Sequence, residues 1–194
     1  MPSNWLVKTE PDVYSLADLK REKRTLWDGV RNYQARNYLK QMKAGDLVLF
    51  YHSSCEEIGV VGLARVTKVA VPDPLQFEKH SDYFDPDSTK ANPRWWSPEI
   101  EFVSAFKTVV GLNELRSRRE LEKMLVLQRG SRLSVHPVSD RELEVIMELG
   151  GESTDSVGSP TGAKKGASKS KRSHGAPPRA RKIGARGSVT PLGA

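Results

Sequence analysis

The sequence predicts an α+β domain built on a mainly antiparallel, curved or barrel-like sheet. Three observations predict it. Runs rich in β-branched and aromatic residues recur at 5–9, 47–53, 58–71, 100–110 and 132–136. The helical stretches fall between them without regular β-α-β alternation. The 194 residues, with four tryptophans and 37% hydrophobic content, suffice for one ordinary core but not for two large ones.

Each element has a local cause. Trp5 to Thr9 alternate as a strand and stop at Glu10-Pro11, because proline donates nothing to a ladder and restricts the residue before it. Ser15 and Asp18 stand at capping-box spacing and open a helix toward Arg24. A loop then carries Trp27, Asp28 and Gly29. Asn32 is placed to cap an amphipathic helix with Ala35, Tyr38, Leu39 and Met42 at near-helical spacing, ending near Gly45. Strands over 47–53 and 58–71 form a hairpin, in which Gly59 and Gly62 relieve crowding or mark a bend. Residues 72–94 read as a long loop bearing Phe77, Tyr83 and Phe84, and loops of that length are often functional. A strand resumes at Ile100, 112–127 has a helical pattern, and 132–136 is a last strand before Pro137. Ser139 and Glu142 then cap a closing helix.

The formal charge is +7, yet residues 1–150 hold 22 basic and 22 acidic side chains. The excess lies in a tail over 151–194, which has no aromatic residue and is dominated by Gly, Ser, Ala, Pro, Lys and Arg. Such a composition buries too little apolar surface to offset its ordering entropy, so the tail is expected to be disordered. Its Lys164, Lys165, Lys169, Lys171, Arg172, Arg179, Arg181, Lys182 and Arg186 are candidate contacts to a nucleic-acid backbone, or a solvated segment that aids solubility. No apolar run approaches the ~20 residues of a membrane span, and the start lacks a secretory pattern. A cytoplasmic protein is expected, nucleoid-associated in a bacterium or nuclear in a eukaryote.

Several chemistries lose their usual signals. Cys55 is the lone cysteine, and the four histidines have no metal-ligand spacing, so no metal or other cofactor is expected. There is no Gly-rich phosphate loop and no nucleophile elbow. Trp5, Trp27, Trp95 and Trp96 instead fall at strand ends or in loops, accompanied by Tyr33, Tyr51, Tyr83 and Phe84. Aromatic faces there suit stacking on a base, worth roughly 1–3 kcal/mol each, although a tryptophan in a small domain more often fills the core.

Three motifs narrow the choice: Trp5-Leu6-Val7-Lys8-Thr9-Glu10-Pro11, then Trp27-Asp28-Gly29-Val30-Arg31-Asn32-Tyr33-Gln34-Ala35-Arg36-Asn37, then Phe50-Tyr51-His52-Ser53. Followed by Asn92-Pro93-Arg94-Trp95, they strongly resemble the EVE domain family over nearly all of residues 4–149. The resemblance implies a PUA-like fold, a small curved sheet or open barrel with peripheral helices, related to the YTH domains that read methylated adenine in RNA. It implies a reader of modified bases, with modified cytosine in DNA the favoured ligand class and RNA also possible, and no catalytic reaction. By position, Trp27 would be one wall of an aromatic cage. Lys8, Thr9 and Glu10 would line the floor, and Asp28, Gly29 and Val30 the rim. Arg31 and Asn32 would meet polar edges of the ligand or its phosphate, and Tyr51, His52 and Ser53 would face the same cavity. The second wall is open among Tyr83, Phe84 and Trp95. Where the family motif has Tyr-Asp-Pro, this chain has Phe84-Asp85-Pro86, without the phenolic hydroxyl.

Plainer roles stand beside these. Arg31 could pair with Asp28 or Asp46, His52 could be a satisfied, partly buried histidine, and Gly29 could serve its backbone alone. The competing functions are an RNA-binding module, a hydrolase or transferase of modified nucleosides using Glu10, Asp28 and His52, and a partner-binding module.

Overall fold

The computed structural model describes residues 3–152, so the nine tail cations fall outside the described residues. Six strands form one open sheet in the order β2-β5-β4-β3-β1-β6, where β1 is Asn4–Thr9, β2 Arg24–Leu26, β3 Leu47–His52, β4 Gly59–Pro72, β5 Trp96–Gly111 and β6 Val135–Val138. The expected sheet is present: every pairing is antiparallel except β1 with β3, which run parallel. A parallel pair needs a crossover, and the chain from 10 to 46 supplies it. That crossover holds helix α1 (Leu16–Glu22), β2 and helix α2 (Tyr33–Gln41).

Local chemistry sets the helix starts. Ser15 and Asp18 close a capping box on α1, and the Asn32 side chain accepts from the Gln34 and Ala35 N–H groups at the start of α2. Ser139 and Glu142 close a second box on α4 (Asp140–Leu149). The hairpin β3–β4 and the long β4–β5 pair carry register shifts at Phe50/Tyr51, Val60/Gly62 and along 63–71, and bulges of this kind bend and twist a sheet. Gly62 permits one close approach: a Cβ there would lie 2.4 Å from the Ser104 carbonyl oxygen.

Both faces of the sheet are covered. On one face Trp5, Val7, Val48 and Phe50 pack with Leu19, Trp27, Ala35 and Leu39 from the crossover. On the other, Leu6, Leu49, Tyr51 and Leu63 pack with Leu115, Leu121, Met124, Leu143 and Ile146. β3 is therefore buried over Val48–Tyr51, which is why it reads as a continuous apolar run.

Two expectations are corrected. The helix over 112–127 is a short α3 (Leu112–Ser117) followed by 3₁₀ turns at Arg119–Leu121 and Leu125–Leu127. A continuous helix would turn Arg118, Arg119 and Glu122 toward the core behind Leu115. An extended Arg118 lets Leu121 and Met124 reach it instead. The last strand lies at 135–138 rather than 132–136, with Pro137 inside it, and its edge position accommodates the missing donor. β2, too short to signal itself in sequence, pairs Thr25 with Ile100 at the opposite edge.

Candidate functional site

Strand alternation decides which predicted residues meet. Opposite one another in the register stand Lys8 with Tyr51 and Thr9 with His52. Tyr51 belongs to the core under α4, whereas His52 shares the face of Phe50, with ring centroids 5.8 Å apart. The single cavity expected for Lys8 through Glu10 and Tyr51 through Ser53 is thus divided between two faces of the sheet. On the α4 side, burial lowers the Lys8 pKa and raises that of Tyr51. His136, opposite Leu6 in β6, is pushed down to about 4, first by burial and then by the charge of Lys8.

On the crossover side, the ends of β1 and β3 are tied together. The Ser53 N–H and hydroxyl both donate to the Thr9 carbonyl, and the Ser54 hydroxyl donates to Glu10 Oε1 at 3.0 Å. His52 Nε2 accepts the Leu16 N–H at 3.2 Å, and burial holds its pKa below the usual imidazole value. This is the satisfied histidine of the plainer reading. A nitrogen already accepting is poorly placed as a general base.

Trp27 follows β2 and is fully buried. Its ring lies edge-on to Tyr14 at 6.3 Å and to Phe50 at 5.5 Å. The open ring face expected for a cage wall is therefore not seen in this conformation, since Tyr14 and Phe50 enclose the indole within the core. Its polar atom is a different matter. Trp5 Nε1 donates to Asp46 at 2.8 Å and Trp95 Nε1 to Asp85 at 2.5 Å, but Trp27 Nε1 is buried with no hydrogen-bond partner among the described residues.

The segment after Trp27 is held from outside. Gly29, at φ 75°, directs its N–H to buried Asp73 at 2.9 Å. Arg31 pairs with Asp73 at 2.7 Å and donates to the Tyr83 carbonyl. Val30 is in the core, and Asn32 serves as the α2 cap. The Arg31 guanidinium lies over the rings of Tyr83 and Trp95, Trp95 stacks on Tyr33 at 5.0 Å, and Phe84 is exposed. Two aromatic groups result, joined through Gly29, Arg31 and Asp73.

Asp73 and Gln76, which none of the motifs includes, help build this second group. Gln76, fully buried, donates to the Asp73 and Trp95 carbonyls and accepts from the Arg94 and Trp95 N–H groups. Burial alone would raise the Asp85 pKa. Bonds from Trp95 and the Asp87 N–H, with the nearby Arg94 charge, hold it below the usual carboxylate range. Three of these four Gln76 links span 18 or 19 residues and leave no periodic signal. Among the described residues no cluster of His, Cys, Asp and Glu could hold a metal ion, and no helix is long and apolar enough to cross a membrane.

Comparison with known proteins gives this geometry a family context. The EVE domain family model matches residues 3–149. Human thymocyte nuclear protein 1 is 39% identical over 167 residues, covering 77% of this chain and 74% of that protein. The structure of human THYN1 protein in complex with DNA containing 5-methylcytosine superposes with a TM-score of 0.73 at 38% identity, covering 77% of this chain and 98% of that one. A hypothetical protein from Leishmania major is similar at 47% identity and a TM-score of 0.74, covering 78% and 96%.

Proposed function

The chain belongs to the EVE domain family, and from that premise we propose that it is a non-catalytic nucleic-acid-binding module that takes up a modified base, modified cytosine in DNA foremost. The observation that carries this reading is the complex of the human relative with 5-methylcytosine DNA, at 38% identity over nearly all of that chain. The base leaves its stack, at a cost of a few kcal/mol, and is held beside Trp27. There the unpartnered Nε1–H supplies a donor for an acceptor on the base edge, while the surrounding rings of Tyr14 and Phe50 favour an added apolar group. Because these rings enclose the indole, capture requires the Tyr14 side chain or the segment over 27–31 to move aside. Such a module works where the DNA is, in the nucleus of a eukaryote or on a bacterial nucleoid.

The test is a binding panel of DNA and RNA oligonucleotides, identical but for one cytosine that is plain or 5-methylated. Tighter binding of methylated DNA, lost in Trp27→Phe while the fold persists, is the expected result. Equal affinity for every oligonucleotide defeats base recognition, and a preference confined to RNA reassigns the ligand. The occupied Nε2 of His52 weighs against a nucleoside hydrolase or transferase. Turnover of modified nucleosides that disappears in Glu10→Gln would reverse that judgement.

A further inference from the structure

The exposed face of α2 carries charge that no acidic side chain among the described residues neutralises. Arg36 lies 4.9 Å from the centre of the Tyr33 ring and 6.0 Å from that of Trp95, and Lys40 lies 4.9 Å from the centre of Trp96. Neither Arg36 nor Lys40 forms an ion pair among the described residues; Arg36 donates only to the Asn37 side chain and to the Arg94 carbonyl. The contrast is with Arg31 and Arg94, which are held by Asp73 and by Asp85 and Asp87. Arg94 also donates to the Tyr33 hydroxyl, so it braces the ring whose other neighbours are Arg36 and Trp95. Tyr33 is 50% exposed.

From this arrangement we infer that the α2 face is a second nucleic-acid contact: Arg36 and Lys40 bind phosphates of the strand that flanks the captured base, and the exposed ring of Tyr33 takes a neighbouring unpaired base. The inference rests on the function proposed above and adds the backbone track to it. Four residues along a helix is one turn, about 6 Å, a span that reaches adjacent phosphates of a strand in which one recurs every ~3.4 Å along the axis. Cations laid over aromatic rings keep their charge toward solvent in a fixed position. A surface joining positive groups to an exposed ring fits single-stranded or locally opened nucleic acid better than a regular duplex. Continuity sets the location, because the segment over 27–31 leads from Trp27 directly into the first turn of α2. The overall charge balance of residues 1–150 hides this face, which is local.

The test uses the full chain and a duplex with one site, plain or 5-methylated, with affinity measured from 50 to 200 mM salt. Arg36→Ala/Lys40→Ala is compared with wild type and with Arg119→Ala/Lys123→Ala, an exposed pair outside this face. Loss of two phosphate contacts should lower the slope of log affinity against log salt by about 1.8, so that the weakening relative to wild type is about twelvefold greater at 50 mM than at 200 mM salt. The methylated-to-plain ratio should stay within twofold of wild type, with an unchanged melting temperature. An unchanged slope in the α2 variant, or an equal drop in the control pair, overturns the inference. A wild-type ratio of one with the slope change intact overturns base recognition and leaves the α2 track standing. Failure of wild type to bind either duplex overturns both.

Discussion

Trp27 Nε1 is a donor enclosed by rings, and a buried polar group left without a partner costs about 1–3 kcal/mol. Trp5 and Trp95 avoid that cost through Asp46 and Asp85. Trp27→Phe should therefore destabilise far less than Trp27→Ala, for which truncation of a core aromatic costs about 3–5 kcal/mol. Urea unfolding of the two variants checks this, and a loss in Trp27→Phe as large as that in Trp27→Ala would overturn it. His136 makes stability depend on pH. Its folded pKa of about 4 lies below the ~6.5 of an unfolded histidine, so between those values the unfolded chain binds a proton that the folded chain refuses. Stability is complete above about pH 6.5 and should fall by about 3 kcal/mol as pH drops through 4. His52, also lowered by burial, acts in the same direction. Denaturant midpoints at pH 7 and pH 4.5 should converge in His136→Leu relative to wild type; parallel shifts in both proteins would assign the acid sensitivity to other groups.

At the scale of elements, the loop over 73–95 owes its order to few groups. Gln76 fills both of its amide donor and both of its acceptor directions with backbone partners, so Gln76→Ala leaves several buried peptide groups unmatched. A loss of roughly 3 kcal/mol or more is expected, with faster amide exchange at Arg94 and Trp95 than anywhere on β3. Exchange unchanged at those two amides would show that the loop is held by its other contacts. Elements whose causes are local were legible in the sequence: both capping boxes, the Asn32 cap and the β3–β4 hairpin all follow from residues within a few positions. Elements with distant causes were not. β2 exists because β5 offers it an edge, and residues 118–127 break their helix to bring Leu121 and Met124 to a core built by α4 and the sheet.

For the whole molecule, the parallel β1–β3 pair sets what the candidate site can contain. It places consecutive residues of two motifs on opposite faces, so Thr9 and His52 stand with the Trp27 core while Tyr51 stands with the core under α4. A motif read along the chain cannot reveal that division, because pairing partners lie some 43 residues apart in sequence. Charge is distributed as unevenly as the motifs. Residues 1–150 are balanced at 22 basic and 22 acidic groups, and the nine further cations follow position 152. Removal of residues 153–194 takes those cations away while leaving every residue of the two described cores in place. The truncated protein should melt within a few degrees of the full chain and keep the methylated-to-plain binding ratio. Its salt dependence should be shallower than that of the full chain, by about 0.9 for each tail cation that meets a duplex phosphate. Combined with Arg36→Ala/Lys40→Ala, the two slope changes should add, since separate phosphates are released. A truncated protein that kept the full slope would leave the tail a solubility segment, and one that lost the ratio would move base selection out of the folded domain.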